Sequence, residues 1–264
     1  MTIRKGCALL CALVLAAVCL LPGLPARRAA AEDSAQQVRI RLTQLRLTDR
    51  ADLTLEGTYT CETAAGGTVA FPYGAQVTVV LRDGGLYLFY GDISISCGSA
   101  IRLVPHTRAG DELEGIRFRT GGNLYPGELH LSILGGQLLP VLGLSVEEYL
   151  LGVVPYEMSD SFPLEALKAQ AVCARTYALS HINPDADWDM TDTTNDQVFY
   201  GIDTSNTNTA QAVEETAGIV GMWKGELAVC YYAASNGGQT ETVKNVWGGE
   251  DVGCYAVTDD PYDV

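Results

Sequence analysis

The sequence of 264 residues has few basic side chains, and this shortage limits what it can bind. It contains 17 Lys and Arg against 32 Asp and Glu, which gives a formal net charge of −15. Nucleic acids and anionic membrane surfaces are bound by clustered Lys and Arg. The composition therefore argues against both as partners, and we interpret the acidity as a contribution to solubility.

Histidine and cysteine are scarce as well, and their spacing matches no familiar site. Three His and eight Cys are present, and five cysteines follow residue 31, namely Cys61, Cys97, Cys173, Cys230 and Cys254. An odd number of thiols cannot pair completely within one chain, and no two have the C-x-x-C spacing of a zinc site. Cys173 falls within a predicted helix and is interpreted as a small buried hydrophobic residue.

Only one apolar run approaches the length that spans a membrane, and it lies at the N-terminus. The basic residues Arg4 and Lys5 precede the apolar residues 7–24, and three alanines at 29–31 resemble a cleavage site before Glu32. Residues 1–31 are predicted to be an export signal or, alternatively, an uncleaved membrane anchor. The rest of the chain is expected to be exported, and only this segment is expected to contact a membrane.

Residues 32–142 are predicted to be rich in β-strands. Short runs alternate apolar with polar residues, and paired glycines separate them as turns. The runs are 38–42, 52–57, 77–81, 86–90, 93–97, 101–105, 115–119, 127–134 and 137–142. The polar residues His106, Tyr125 and His130 occur singly here, so the region shows no chemistry of its own.

From residue 143 onwards the pattern becomes mixed helical and β. Ser145 and Glu148 have capping-box spacing, and the helix that they open is predicted to stop at Gly152 and Pro155. A second helix over residues 164–179 is expected to be capped by Asp160 or Ser161. A third helix over 204–218, a hairpin and a polar glycine-rich loop complete this region.

Glu157 is the sharpest catalytic candidate, because it follows the predicted helix end in a loop with apolar neighbours. A carboxyl group near apolar groups has a raised pKa and can donate a proton near neutral pH. The alternative is that Glu157 only stabilises the N-terminus of the following helix. No Ser-His-Asp set, phosphate loop or metal spacing competes with it.

Five stretches resemble, in order, the motifs of a known bacterial family. They are GVVPYEM, PLEALKAQAVCARTYAL, DTTNDQVFYG, AVEETAGIV and SNGGQTE followed by VWG, all within residues 147–247. Together they resemble the SpoIID/LytB family of bacterial cell-wall proteins, whose sporulation members are lytic transglycosylases. Those enzymes cut the MurNAc–GlcNAc bond of glycan strands that an amidase has stripped of stem peptides, and they leave a 1,6-anhydro end.

The resemblance implies an α+β fold, with the β-rich residues 32–142 followed by a SpoIID-like catalytic domain at 143–264. It places the family's catalytic glutamate at Glu157, which would protonate the glycosidic oxygen and then accept the proton of the attacking C6 hydroxyl. This intramolecular nucleophile removes the need for a second carboxylate.

The resemblance also suggests residues that bind the substrate. It places two basic helix positions at Lys168 and Arg175, which would orient Glu157 or bind a sugar or lactyl carboxylate. The alternative is a solvated face or an ion pair with Glu165. Gln197, Ser235 and Asn236 are candidates for hydrogen bonds to sugar hydroxyls, and Trp247 is a candidate stacking ring, with turn-forming or packing roles as the alternative.

Two departures from the family pattern matter. Sporulation members carry a zinc site made of one His and two Cys, whereas the corresponding positions here are His181, Met190 and Asp196. Structural zinc takes four good ligands, so we predict no metal, and no cofactor is implied. The family continues into a segment resembling GHGVGMSQYGA that these residues lack, so we expect the chain to be truncated at its C-terminus, the alternative being a protein that lacks part of the groove.

Three functions follow as hypotheses. The first is an exported peptidoglycan lytic transglycosylase with Glu157 as acid and then base, acting on glycan strands. The second is a non-catalytic wall-binding protein that recruits or stimulates a cell-wall amidase. The third is an extracellular structural domain without a sugar site, which the regular order of the motifs disfavours.

Overall fold

The computed structural model describes residues 36–106, 113–119, 122–250 and 253–263. These residues lie in one compact unit, Ala35–Val264. The predicted export signal at 1–31 lies outside the described residues. No helix in the described ranges is both long and apolar enough to cross a membrane.

Fourteen strands are found in the described part of the chain. The first seven are β1 Gln37–Arg41, β2 Arg50–Glu56, β3 Tyr59–Thr63, β4 Thr68–Phe71, β5 Ala75–Arg82, β6 Gly85–Tyr90 and β7 Ile93–Gly98. The others are β8 Ile101–Pro105, β9 Gly115–Phe118, β10 Glu128–Leu134, β11 Gln137–Ser145, β12 Met190–Thr191, β13 Met222–Trp223 and β14 Glu226–Leu227.

The strands form two main sheets, with a core between them built from alternating residues. The seven-stranded sheet has the order β12-β1-β11-β10-β8-β3-β4, and the five-stranded sheet has the order β7-β6-β5-β2-β9. In β2 the buried residues Ala51, Leu53 and Leu55 alternate with partly exposed ones, as expected for strands with one face in a core. The strand β11 runs across residues 142 and 143 and pairs with both β1 and β10.

The predicted α+β class is confirmed, and each of the nine predicted strands has a counterpart. Two strands, β3 and β4, have no counterpart in the prediction. The sequence of β3, YTCET, is mostly polar or small, yet Tyr59 and Cys61 are fully buried. The glycine pair predicted as a turn joins these two strands, with Gly66 at a φ of 83°.

Four helices occur among the described residues: α1 Val146–Glu157, α2 Leu164–Ser180, α3 Thr207–Glu215 and α4 Val243–Trp247. The predicted capping box is confirmed, because Ser145 Oγ accepts from Glu148 N and the Glu148 carboxylate accepts from Ser145 N. The predicted stop at Gly152 and Pro155 is wrong, since α1 continues through both to Glu157. Proline costs one helical hydrogen bond there, and burial of the apolar face of α1 offsets that loss.

The predicted caps of α2 are also wrong, because the N-cap position is occupied by Pro163, without a side-chain cap. Asp160 instead accepts hydrogen bonds from the backbone N–H groups of Asn208 and Thr209, at the start of α3. A carboxylate is favourable at that position because it meets unpaired N–H groups and the positive end of the helix dipole. Asp160 thus joins the α1–α2 loop to α3.

A close approach in α1 fixes its position against the chain that follows β12. Gly152 is buried, and a Cβ atom there would lie 2.8 Å from the carbonyl oxygen of Gly201 and closer still to the ring of Phe199. We expect Gly152→Ala to lower the free energy of unfolding by roughly 1–3 kcal/mol because neither neighbour can easily retreat.

Urea unfolding measures this change, with Gly122→Ala as the matched control. A Cβ atom at Gly122 meets nothing within 4 Å, so that variant is expected to stay within about 0.5 kcal/mol of the parent protein. Equal unfolding midpoints for Gly152→Ala and the parent would contradict the close packing described for α1.

Candidate active site

Glu157 ends helix α1 rather than lying in the predicted loop. The residue is exposed, whereas the preceding Val153 and Val154 are fully buried. The apolar face of the helix therefore anchors the element, and its last residue presents a carboxyl group at the surface. Because Glu157 ends a packed helix, the orientation of its side chain is more restricted than it would be in a free loop.

Two hydrogen-bond donors act on the Glu157 carboxylate. The backbone N–H of Val198 and the hydroxyl of Tyr232 both lower its pKa, and both oppose a larger effect of partial burial. Although the residue as a whole is exposed, burial of the carboxyl group raises its pKa above the ordinary value. A glutamate with a raised pKa keeps its proton closer to neutral pH, as a general acid requires.

Tyr232 connects Glu157 to the interior. Its hydroxyl accepts a hydrogen bond from Gln197 Nε2 at 3.1 Å, and the amide also donates to the Ala174 carbonyl at 3.4 Å. Burial raises the pKa of Tyr232, with the nearby Glu157 adding to the shift. Tyr232 therefore stays protonated and can donate to Glu157. Tyr232 was not predicted from the sequence, although two consecutive tyrosines precede the polar loop that was expected to bind substrate.

Gln197 is predicted from the sequence to bind substrate, but its side chain is buried in the structure. It is 1% exposed, and its amide is directed at Tyr232 and helix α2. Its Oε1 atom is buried, and no hydrogen-bond partner for it is found among the described residues. This placement favours a role in positioning Tyr232, and through it Glu157, over direct contact with a sugar.

Two exposed aromatic side chains belong to residues close in sequence to Glu157 and Val198. The rings of Tyr156 and Tyr200 meet edge to face with centroids 5.0 Å apart, and they are 45% and 38% exposed. Tyr156 directly precedes Glu157, and Tyr200 lies two residues after Val198, which donates to the carboxylate. Asn123 Nδ2 donates to the Tyr156 hydroxyl at 2.9 Å. Exposed aromatic rings supply apolar contact area with a polar tip, which suits a sugar ring.

The structure places Arg175 away from solvent. Its side chain is 1% exposed and forms a bidentate ion pair with Glu147 at 2.7 and 2.8 Å. The guanidinium also donates to the carbonyl oxygens of Val213 and Ile219, at the end of α3 and beyond. These contacts give Arg175 a structural role, because its donors join α1, α2 and the segment after α3; the substrate-binding role stays a prediction.

Lys168 lies on the outer side of the same helix and forms two ion pairs. Its ammonium group is 2.7 Å from Glu165 and 2.6 Å from Glu215. The pair with Glu165 is the alternative that the sequence suggested, and hydrogen bonds to both carboxylates raise the pKa of Lys168. No contact with Glu157 is found for Lys168 or Arg175 in the described ranges, so the structure does not bring these three residues together.

Ser235 and Asn236 lie in the glycine-rich loop and bind the end of the chain. The Ser235 hydroxyl donates to Asp263 at 3.0 Å, and Asn236 donates to both Asp260 and Asp263. A sugar hydroxyl would therefore have to compete with these carboxylates for the donors of Ser235 and Asn236. Trp247 is 63% exposed and packs against the ring of Tyr231, with ring centroids 4.7 Å apart. Tyr231 is the residue before Tyr232.

The three positions compared with a zinc site have other partners. His181 stacks on Tyr177 with ring centroids 4.0 Å apart, Met190 is buried in β12, and Asp196 accepts from the backbone and hydroxyl of Thr191. Within the described ranges, no group of three or more His, Cys, Asp or Glu side chains is arranged to hold a metal ion.

Removing the Tyr232 hydroxyl is expected to raise the pKa of Glu157 further. The hydroxyl donates to the carboxylate and so stabilises its charged form; in Tyr232→Phe that stabilisation is lost. A ¹³C NMR titration of labelled glutamate side chains measures the shift directly. Tyr231→Phe is the matched control, since its ring packs on Trp247 and Tyr255 instead. An unchanged Glu157 titration in Tyr232→Phe would refute the contact.

Comparisons with known proteins agree with the motif order. A sequence model of the SpoIID family, described as stage II sporulation protein, matches residues 135–223. An uncharacterised protein of Brachyspira hyodysenteriae is 40% identical over 144 residues, which are 51% of this chain and 39% of the relative. A Bacillus subtilis protein named "Amidase enhancer" is 46% identical over 96 residues, 36% of this chain and 13% of the relative. The alignments thus span well under half of each relative.

Proposed function

Because the chain carries a SpoIID domain at residues 135–223, we propose that it is an exported lytic transglycosylase of bacterial peptidoglycan. Its substrate is the MurNAc–GlcNAc bond of glycan strands without stem peptides, and its products end in 1,6-anhydro sugars. The observation that carries the proposal is the partly buried Glu157 carboxyl group at the end of α1, whose pKa is raised by burial against the opposing effects of Tyr232 and Val198.

The chemistry needs one carboxyl group. Protonated Glu157 donates its proton to the glycosidic oxygen as the bond to C1 breaks. The resulting carboxylate then takes the proton of the C6 hydroxyl while that oxygen bonds to C1. Hydrolysis by the usual routes needs a second carboxylate about 5–9.5 Å away. The described groups that shift the pKa of Glu157 are a backbone N–H and a tyrosine hydroxyl, and neither is a carboxylate.

The contacts of the site serve the two proton transfers differently. The hydrogen bonds from Val198 and Tyr232 stabilise the carboxylate that forms after the first transfer, whereas partial burial favours the protonated form before it. The exposed Tyr156–Tyr200 pair, whose first ring belongs to the residue before Glu157, offers a surface on which a sugar ring packs. Binding on this surface aligns the scissile oxygen with Glu157 and contributes through proximity.

Digestion of amidase-treated glycan strands tests the proposal. The full chain is incubated with the strands, and the products are identified by mass spectrometry. Products that are about 18 Da lighter than hydrolytic ones, as loss of water requires, are expected to accumulate with time. Products with reducing ends would show a hydrolase instead, and an unchanged strand length would show that the chain does not cut these glycans.

A second candidate function rests on the Bacillus subtilis relative, whose name is "Amidase enhancer". In this alternative the protein binds the wall without cutting it and increases the activity of an amidase. The distinguishing assay follows amidase activity on intact peptidoglycan with and without the protein. Stimulation that survives Glu157→Gln, together with uncut glycan, would support the enhancer over the transglycosylase.

Export is part of the proposal and has a direct test. The basic, apolar and small-residue order of residues 1–31 supports it. N-terminal sequencing of protein recovered outside the cytoplasmic membrane is expected to begin at Glu32 if the signal is cleaved. Recovery only with the membrane fraction, with Met1 retained, would indicate the anchor.

A further inference from the structure

Two cysteines from distant parts of the chain meet beside the candidate active site. Cys173 lies in helix α2, and Cys230 lies two residues before Tyr232 in the segment after β14. Each thiol shifts the pKa of the other. Both are free in this structure, and Cys230 Sγ donates a hydrogen bond to the carbonyl oxygen of Ala228 at 3.2 Å. Cys173 is only partly buried, in contrast to the prediction of a buried hydrophobic residue.

The surrounding contacts hold Cys230 against α2. Thr176, one helical turn after Cys173, accepts from the backbone N–H of Gly221 at 2.9 Å. The carbonyl of Gly221 accepts from Ala228 at 2.9 Å. A Cβ atom at Gly221 would lie 3.1 Å from Cys230 Sγ, so only glycine leaves comfortable room for the sulfur. These contacts place the Cys230 side chain on the face of α2 that carries Cys173.

We propose that Cys173 and Cys230 form a disulfide bond in the oxidised protein, which fixes the segment carrying Tyr232 to helix α2. The bond would act on the candidate site because Tyr232 donates to Glu157 and accepts from Gln197. Formation of this disulfide bond does not depend on the proposed enzymatic activity. Exported proteins meet oxidising surroundings in which such bonds form and persist.

The chemistry is thiol–disulfide exchange with a small-molecule disulfide as the oxidant. The neighbouring Cys173 thiol lowers the pKa of the Cys230 thiol and so favours its thiolate. The Cys230 thiolate attacks one sulfur of the oxidant and releases one thiolate. Cys173 then loses its proton and attacks Cys230 Sγ, releasing the second thiolate. Two electrons pass to the oxidant, and its two thiolates take up the two protons.

Peptide mapping of the full chain tests the bond. The protein is treated with oxidised glutathione, alkylated and digested with trypsin without reduction. Trypsin releases Cys173 in residues 169–175 and Cys230 in residues 225–244, each with a single cysteine. The linked pair is expected as one mass that disappears on reduction. Recovery of both peptides in alkylated form would overturn the proposal.

Cys254 is the competing partner. The hydroxyl of Tyr255, its neighbour, donates to the carbonyl of Val229, which precedes Cys230. A link between residues 225–244 and the C-terminal peptide 245–264 would therefore also overturn the proposal. Cys254→Ser is the matched control and is expected to keep the Cys173–Cys230 link, whereas Cys173→Ser is expected to abolish it.

Thermal unfolding gives an independent readout. A cross-link over so long a loop is expected to raise the Tm of the oxidised chain above that of the reduced chain by about 5 °C or more. The difference should persist in Cys254→Ser and vanish in Cys173→Ser. Circular dichroism under reducing conditions shows whether both variants fold, and the peptide map of the unaltered chain needs no variant.

Discussion

Replacing Glu157 by glutamine is expected to lower the rate of glycan cleavage by about 10³-fold, because one group performs both proton transfers. Glutamine keeps the size of the side chain but can neither donate a proton to the glycosidic oxygen nor accept one from the C6 hydroxyl. The rate is measured from the release of anhydro-ended products at a fixed substrate concentration. Binding of the glycan should change far less than the rate.

The stability of Glu157→Gln shows whether the variant folds, and the expected direction of the stability change follows from the pKa of Glu157. Partial burial raises the pKa of Glu157 in the folded protein, so the ionised form at neutral pH costs folding free energy. An uncharged glutamine at this position avoids that cost, and Glu157→Gln should be at least as stable as the parent at pH 7. The difference disappears at low pH, where both side chains are neutral.

A control glutamate is available on helix α3. Glu214 is exposed, with no side-chain bond found in the described ranges, and Glu214→Gln is expected to cleave at the parental rate. Full activity of Glu157→Gln would remove Glu157 from the mechanism and leave the enhancer function as the stronger candidate.

Replacing Arg175 by alanine is expected to lower the free energy of unfolding by about 3 kcal/mol. The change leaves the Glu147 carboxylate without its bidentate partner and the carbonyl oxygen of Ile219 without the Arg175 donor. The carbonyl oxygen of Val213 loses the Arg175 donor and keeps the hydroxyl of Thr216. Unsatisfied acceptors of this kind are costly in a protein interior. Urea unfolding followed by circular dichroism measures the loss.

The same variant separates a structural role from a substrate-binding one. If Arg175 holds the helices together, Arg175→Ala is destabilised, and the folded fraction binds glycan as the parent does. If it binds the glycan, affinity falls while stability is retained. Lys168→Met serves as the control for stability, because it removes two surface ion pairs on the same helix and such pairs contribute little.

Much of the fold could be predicted because periodicity is a local property. The alternation in residues 52–57 and the capping box at Ser145 are readable from neighbours in the chain, and both are found in the structure. Pro155 misled the prediction because propensity ignores tertiary burial: α1 keeps its helical path with proline inside it. The strand β3 was not predicted because its sequence is mostly polar, although two of its positions are buried.

The candidate site shows where local reasoning stops. The family resemblance pointed to Glu157 as a candidate. Tyr232, which lowers the pKa of Glu157, lies far along the chain, and no spacing rule joins the two. Arg175 was placed near the substrate because its position on the helix could be predicted and its partner could not: Glu147 lies on α1, and only the packing of α1 against α2 brings the two together. Contacts between elements thus decided the roles that residue type left open.

The direct passage from β11 into α1 has a consequence for how the protein can be divided. Strand β11 ends at Ser145, and Ser145 is also the N-cap of the helix that ends at Glu157. No linker separates the sheet from the element that carries the carboxyl group. A recombinant fragment starting at residue 143 would keep the helix but discard most of the strand and its partner β1. A minimal soluble fragment that retains Glu157 in place should therefore start before Gln37.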